Sequence, residues 1–163
     1  MLNHIDFIGI NFYTRIVIGL NIRQKLLVNL NPNFLDNKSL NFLQDPSDLF
    51  LIVKRLSRFN KPIIITENGV PTSDDKLRQI YLKGIFQSLA KLLADKVNIM
   101  GYYHWSLIDN FEWGYGFKVK FGLYEFDKTT YLRYPKESSK VYKSLIANAR
   151  ENVLSNPTRL ANL

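Results

Sequence analysis

A chain of 163 residues, 46% of them hydrophobic, is one domain's worth of protein with enough apolar side chains to bury a core. The absence of cysteine excludes disulfides and thiolate metal sites, and two well-separated histidines, His4 and His104, are too few to suggest a metal site. A net charge of +8 raises a nucleic-acid partner, but the Lys and Arg residues are spread over helical stretches and the tail, and no nucleic-acid-binding motif accompanies them. They read as solvated surface, so no nucleic acid is expected.

No apolar run is long enough to span a membrane, and the N-terminus lacks a charged-then-apolar leader pattern. A soluble, cytoplasmic protein is the expectation. Aromatic residues are abundant (11 Phe, 9 Tyr and 2 Trp), which serves either core filling or flat surfaces that stack on ligands.

The first element in chain order is Asp6-Phe-Ile-Gly-Ile-Asn11, a short β-branched run that reads as a buried strand. After Tyr13 comes a long polar stretch rich in Asn, with Pro32 and few periodic cues. Asp45-Pro46-Ser47 offers a helix start, and Leu49, Ile52, Val53 and Leu56 share one helical face. Pro62-Ile-Ile-Ile-Thr66 is the second strand, its three unbroken isoleucines implying burial on both faces, with Glu67-Asn-Gly69 as the turn that ends it.

Ser73-Asp74-Asp75 caps a helix running to about Lys96, with Leu77, Ile80, Tyr81, Ile85, Leu89 and Leu92 at helical spacing. Val97 to Trp105 is the third strand, and an aromatic, glycine-bearing loop spans Ser106 to about Asp127. A last helix covers roughly Pro135 to Glu151, with Val141, Leu145 and Ile146 inward, before a polar tail over 152–163.

Strands alternating with helices predict a parallel α/β architecture. A (β/α)8 barrel takes about 250 residues, and three of its units occupy roughly the length seen here. In such folds functional residues gather where strands end, because that edge opens to solvent while the sheet stays rigid. The three edges read Asn11-Phe12-Tyr13, Thr66-Glu67-Asn68 and His104-Trp105-Ser106. A carboxylate, an Asn–Tyr pair and an indole therefore converge on one mouth. Glu67 at the rim of an apolar sheet suits a nucleophile or general base; it equally suits a turn cap or a lysine partner.

Three motifs narrow this. Ile65-Thr-Glu-Asn-Gly69 resembles the nucleophile signature of glycoside hydrolase family 1. His104-Trp-Ser-Leu-Ile-Asp-Asn-Phe-Glu-Trp113 is similar to that family's glycone-recognition loop, and Asp6-Phe-Ile-Gly-Ile-Asn-Phe-Tyr-Thr14 looks like its sixth barrel strand. The resemblance implies the C-terminal portion of a TIM barrel, about strands 6 to 8 with their helices, over residues 1–151. It implies a retaining β-glycosidase acting on a β-linked glucoside or galactoside, with no cofactor.

Carried over by position, Glu67 would attack the anomeric carbon and Tyr13 would hydrogen-bond that carboxylate. Asn11 would belong to the network around the catalytic carboxylates. Trp105 and Trp113 would supply a sugar platform and an indole donor, Glu112 would accept from glycone hydroxyls, and Phe121 would help close the pocket. Apolar sugar faces and hydroxyl rims call for aromatic surfaces flanked by fixed carboxylates, which is the composition around Glu112. The plain alternative makes both tryptophans core residues. His104 reads as structural, and Asp109 and Asn110 as residues that shape the loop through backbone hydrogen bonds. Phe12, Phe117 and Lys120 stand where the family more often has other residues, as does the segment 41–46.

One part of the pattern is missing. Retaining hydrolysis uses two carboxylates about 5–5.5 Å apart. The resemblance places the acid/base in an Asn-Glu-Pro motif, which this sequence lacks. The expectation is a nucleophile half, nearly inactive alone, since general acid catalysis contributes about 10²–10⁴-fold. Its competitor is a non-catalytic sugar-binding or partner-binding half-barrel that completes itself with a separate N-terminal half or with another copy.

Overall fold

The computed structural model describes residues 4–14, 17–21, 24–29 and 45–154. Three parallel strands form the central sheet: β1 (Ile8–Phe12), β4 (Ile63–Asn68) and β5 (Ile99–His104), in the order β1-β4-β5. Helix α1 (Ser47–Leu56) joins the first two and α2 (Asp75–Ala94) the last two, and α2 packs against both α1 and α3 (Glu137–Leu154). The expected parallel α/β order is present. Between β1 and α1 the polar stretch contains an antiparallel pair, β2 (Val17–Asn21) with β3 (Gln24–Asn29), which periodicity did not suggest. A second short pair, β6 (Tyr124–Phe126) with β7 (Arg133–Pro135), precedes α3.

The core lies between the sheet and the helices. Ile10, Ile63 and Ile65 pack with Leu49 and Val53 of α1 and with Tyr81, Ile85, Leu89 and Leu92 of α2. Each such aliphatic side chain contributes roughly 1.5–3 kcal/mol by leaving water. Asp74 caps α2, its carboxylate accepting from the Lys76 backbone N–H at 2.9 Å.

Several expectations need correction. Ile80 is 56% exposed and Ile146 also faces solvent, so the inward stripes of α2 and α3 are narrower than apolar spacing suggested. On α2, Leu82 and the shorter Ser88 are buried. Strand β4 continues through Glu67 to Asn68 instead of turning at Glu67. α3 begins at Glu137, runs past the boundary drawn at 151 to Leu154, and leaves 155–163 outside the described residues.

The isoleucine run is covered on one face only. Ile63 and Ile65 are buried against the helices, whereas Ile64 is half-buried. It shares its face with Gly9 and Gly101 across the register. Phe7 and Tyr103 lie beside those glycines and are 48% and 62% exposed. A parallel sheet normally carries cover on both faces; among the described residues this one carries it on one.

Candidate active site

The ends of the three strands form the candidate site. Strand β4 holds Glu67 half-buried, paired in register with Asn11 of β1. Tyr13, just past β1, donates its hydroxyl to Glu67 Oε2 at 2.6 Å. Burial, and then that hydrogen bond, push the Tyr13 phenol far above its ordinary pKa, with the charge of Glu112 adding to the effect. Tyr13 thus stays a donor and holds one carboxylate oxygen of Glu67. The Phe121 ring meets the Tyr13 ring edge-on, with centroids 5.7 Å apart.

Immediately behind Glu67 is a hub the sequence did not mark. Asn68 is fully buried; its amide donates to the Phe12 carbonyl (2.7 Å) and the Tyr81 hydroxyl (2.9 Å), and accepts from the Tyr102 hydroxyl (2.9 Å). One side chain therefore ties β1, β4, α2 and β5 together at the residue after Glu67. Its position inside Thr-Glu-Asn-Gly was the available signal. Gly69 has a separate reason: a Cβ there would stand 2.0 Å from the Trp105 carbonyl oxygen, so only glycine lets the two strand ends approach.

The second part of the site hangs from β5. The Trp105 indole N–H donates to Glu112 Oε1 at 3.0 Å, and the Trp105–Ser106 peptide is cis. Glu112 is buried, whereas Trp113 is 85% exposed, outside the core formed by the described residues. Trp113 also takes a left-handed backbone (φ 47°), unfavourable by about 1–2 kcal/mol for a residue with a side chain. Backbone bonds from Glu112 N–H to Gly116 O (2.8 Å) and from Gly116 N–H to Trp113 O (3.3 Å) close this turn.

The loop is anchored through Asp109. Its Oδ1 accepts from the Gly122 backbone N–H (2.8 Å), and both its oxygens accept from Lys136 Nζ (3.0 and 2.9 Å). Lys120 lies 3.5 Å away. Asp109 therefore shapes the loop as expected, with Lys136 as a partner no motif had indicated. Gly122 admits no side chain, since a Cβ would lie 2.1 Å from Asp109 N.

His104 is enclosed behind the loop, its Nε2 3.3 Å from the Phe121 carbonyl. Burial pulls its pKa down to about 4, with Arg78 and Lys136 as nearby positive charges lowering it further. It is neutral at pH 7, in keeping with a structural role.

Of the seven candidate site residues, Tyr13, Glu67 and Phe121 form one contacting group and Trp105 with Glu112 another. Asn11 accepts from the Thr66 hydroxyl at 2.6 Å, so its amide oxygen is directed to the neighbouring strand and not to Glu67. Trp113 projects into solvent beside Glu112. Among the described residues no three His, Asp or Glu side chains gather as metal ligands, and no helix is long and apolar enough to cross a membrane.

Comparison with known proteins bears on this geometry. The chain is 35% identical over 165 residues to the cytosolic beta-glucosidase of Homo sapiens, covering 88% of this chain and 34% of that protein. It is 30% identical over 154 residues to a beta-galactosidase of Sulfolobus acidocaldarius, covering 88% and 31%. The solved beta-glycosidase of Thermosphaera aggregans superposes with a TM-score of 0.76 at 34% identity, over 88% of this chain and 32% of that one. The chain thus spans about a third of the length of these relatives. A family model, Glycosyl hydrolase family 1, matches residues 1–151, and the chain belongs to that family.

Proposed function

We propose that this chain is the nucleophile-bearing part of a retaining β-glycosidase acting on β-linked glucosides or galactosides, its parallel strands being the sixth to eighth of the barrel. The Tyr13–Glu67 hydrogen bond carries the reading: a carboxylate at a strand end, steadied through one oxygen, keeps the other free to attack. In the first step that oxygen bonds to the anomeric carbon as the glycosidic C–O bond breaks. The leaving oxygen then needs a proton from an acid. Water, giving its proton to the conjugate base of that acid, afterwards attacks the same carbon and releases Glu67.

Glu112 and Trp105 suit glycone binding, since a buried carboxylate beside an indole offers an acceptor and an apolar face together. Trp113, standing free in solvent, suits a donor and wall on the sugar's other side. Phe121 would close the pocket and Asn11 would order the strand ends around it. Similarity to a relative named as cytosolic favours a cytoplasmic location.

The sequence contains no Asn-Glu-Pro, so an activated substrate is the informative test. In 2-deoxy-2-fluoro-β-glucosyl fluoride the leaving group departs as fluoride without a proton. Incubation should add one fluoroglucosyl group to Glu67, located by peptide mass spectrometry. Attachment elsewhere, or none, overturns the nucleophile assignment. Ordinary turnover of an unactivated aryl β-glucoside by the purified chain overturns the missing-acid reading.

A second reading rests on the open sheet face. Exposed Phe7 and Tyr103, with β1 and β5 as sheet edges, suit a surface covered by further (β/α) units, in the same polypeptide or a separate one. Co-expression with a chain carrying an N-terminal half-barrel should then restore hydrolysis. Failure of the two to co-purify counts against it.

A further inference from the structure

Arg78, in the first turn of α2, is fully buried. Burying a guanidinium is costly unless its donors are used, and the choice of partners here is informative. Nη1 donates to Asp75 Oδ1 at 2.7 Å. Nη2 donates to two backbone carbonyls on different segments, Thr72 and, at 2.8 Å, Lys120. The same Lys120 carbonyl accepts from the Thr72 N–H at 3.0 Å.

Thr72 lies on the segment leaving Glu67. Lys120 lies at the far end of the loop that carries Glu112, next to Phe121, whose ring abuts Tyr13. Asp75 is held in turn by the Ser138 N–H (2.8 Å) and hydroxyl (2.6 Å) at the start of α3. These bonds, with that of Arg78, outweigh burial and keep its carboxyl below the usual range.

We infer that Arg78 is a positioning residue: it pins the segment after Glu67 to the loop bearing Glu112, and so sets how the attacking carboxylate lies relative to a bound sugar. This rests on the glycosidase reading above. The planar fork of arginine is what allows it. Lysine keeps the charge but is a point donor on a flexible stem, with no fixed fork to span both carbonyls and Asp75 at once. A residue needed only for packing would be replaceable by an apolar chain of similar length.

The test uses the whole chain as wild type, Arg78→Lys and Arg78→Met. Labelling by 2-deoxy-2-fluoro-β-glucosyl fluoride is followed against concentration, to separate the maximal rate from half-saturation. Hydrogen exchange is read at Thr72 and Leu123, with Val53 and Leu92 as core references. Both variants should label about 10- to 100-fold more slowly at saturation, the cost of a misplaced near-attack geometry. Half-saturation should change less than about threefold, and exchange should quicken at Thr72 while Val53 and Leu92 stay protected.

Wild-type labelling rates in Arg78→Lys overturn the inference, as does exchange that quickens throughout the chain in both variants. If Arg78→Met does not fold, Arg78→Lys decides alone. If the wild type itself takes no label, the glycosidase reading fails separately. The exchange arm then decides the pin: unchanged protection at Thr72 in Arg78→Lys overturns it.

Discussion

Glu67 and Glu112 reach their positions by opposite means. Glu67 belongs to a strand hydrogen-bonded on both sides, with Ile63 and Ile65 buried beneath it and Asn68 locked behind it. Glu112 belongs to a long irregular loop whose backbone bonds are scattered turn and bridge contacts instead of a ladder, among them Asp109 N–H to Tyr124 O (2.9 Å) and Leu123 N–H to Ser106 O (3.0 Å). Charged side chains add the anchors at its ends: Asp109 with Lys136 on one side and Arg78 on the other. A ladder gives rigidity through many equivalent bonds, whereas a charged clasp concentrates it in a few. The strand should therefore tolerate changes at its functional residue, and the loop should fail when one anchor is lost.

The largest effect separates chemistry from support. Glu67→Ala should abolish covalent labelling altogether and leave the melting temperature nearly unchanged, because a half-exposed strand-end side chain holds up little of the fold. A substantial fall in Tm would mean that the strand is not the self-sufficient support described. On the loop side, Asp109→Ala leaves Lys136, whose pKa burial already lowers, without its carboxylate. A loss on the order of 3 kcal/mol is expected in urea unfolding. A change below about 1 kcal/mol would remove the clasp from the account.

His104 lies where the two regions meet, and it makes the comparison pH-dependent. The folded protein keeps it neutral down to about pH 4, while the unfolded chain takes up the proton near 6.5. Between those values the unfolded state binds more protons. Stability is thus fully present above pH 6.5 and is lost as pH falls toward 4, by up to about 3 kcal/mol. Urea midpoints of His104→Gln should be flatter over that window than those of wild type, and an equal slope would refute the assignment. The smallest effect belongs to neither region. The half-exposed Lys54–Asp95 pair (2.7 Å) should contribute less than about 1 kcal/mol, and Lys54→Ala should label like wild type.

The strand side of this comparison was the legible side. Three β-branched runs separated by helix-length amphipathic segments predict parallel strands, because only helical crossovers connect them. Glu67, Tyr13 and Trp105 were visible as residues following such runs. The loop side was legible only as motif wording. Asp109 could be read as a loop-shaping residue, but Lys136 lies 27 residues further on and shares no periodicity with it. Arg78 carried no signal, because a pattern of apolar residues carries no information about a buried guanidinium. The β2–β3 pair escaped because its short strands, Val-Ile-Gly-Leu-Asn and Gln-Lys-Leu-Leu-Val-Asn, lack the alternation that marks a half-buried strand.

The amino-acid sequence by itself determined the order of the three parallel strands and their helices, the family motifs and the identity of the carboxylate at the end of β4, since these follow from local periodicity and contiguous residues. Tertiary structure alone decided which faces are covered. Ile64 belongs to the same isoleucine run as Ile63 and Ile65, yet only its neighbours meet helices. It also decided how the Glu112 loop is held, because an ion pair such as Asp109–Lys136 and a fork such as that of Arg78 join residues far apart in the chain. Their partners are chosen by distance and burial, quantities that exist only once the sheet and its helices have packed.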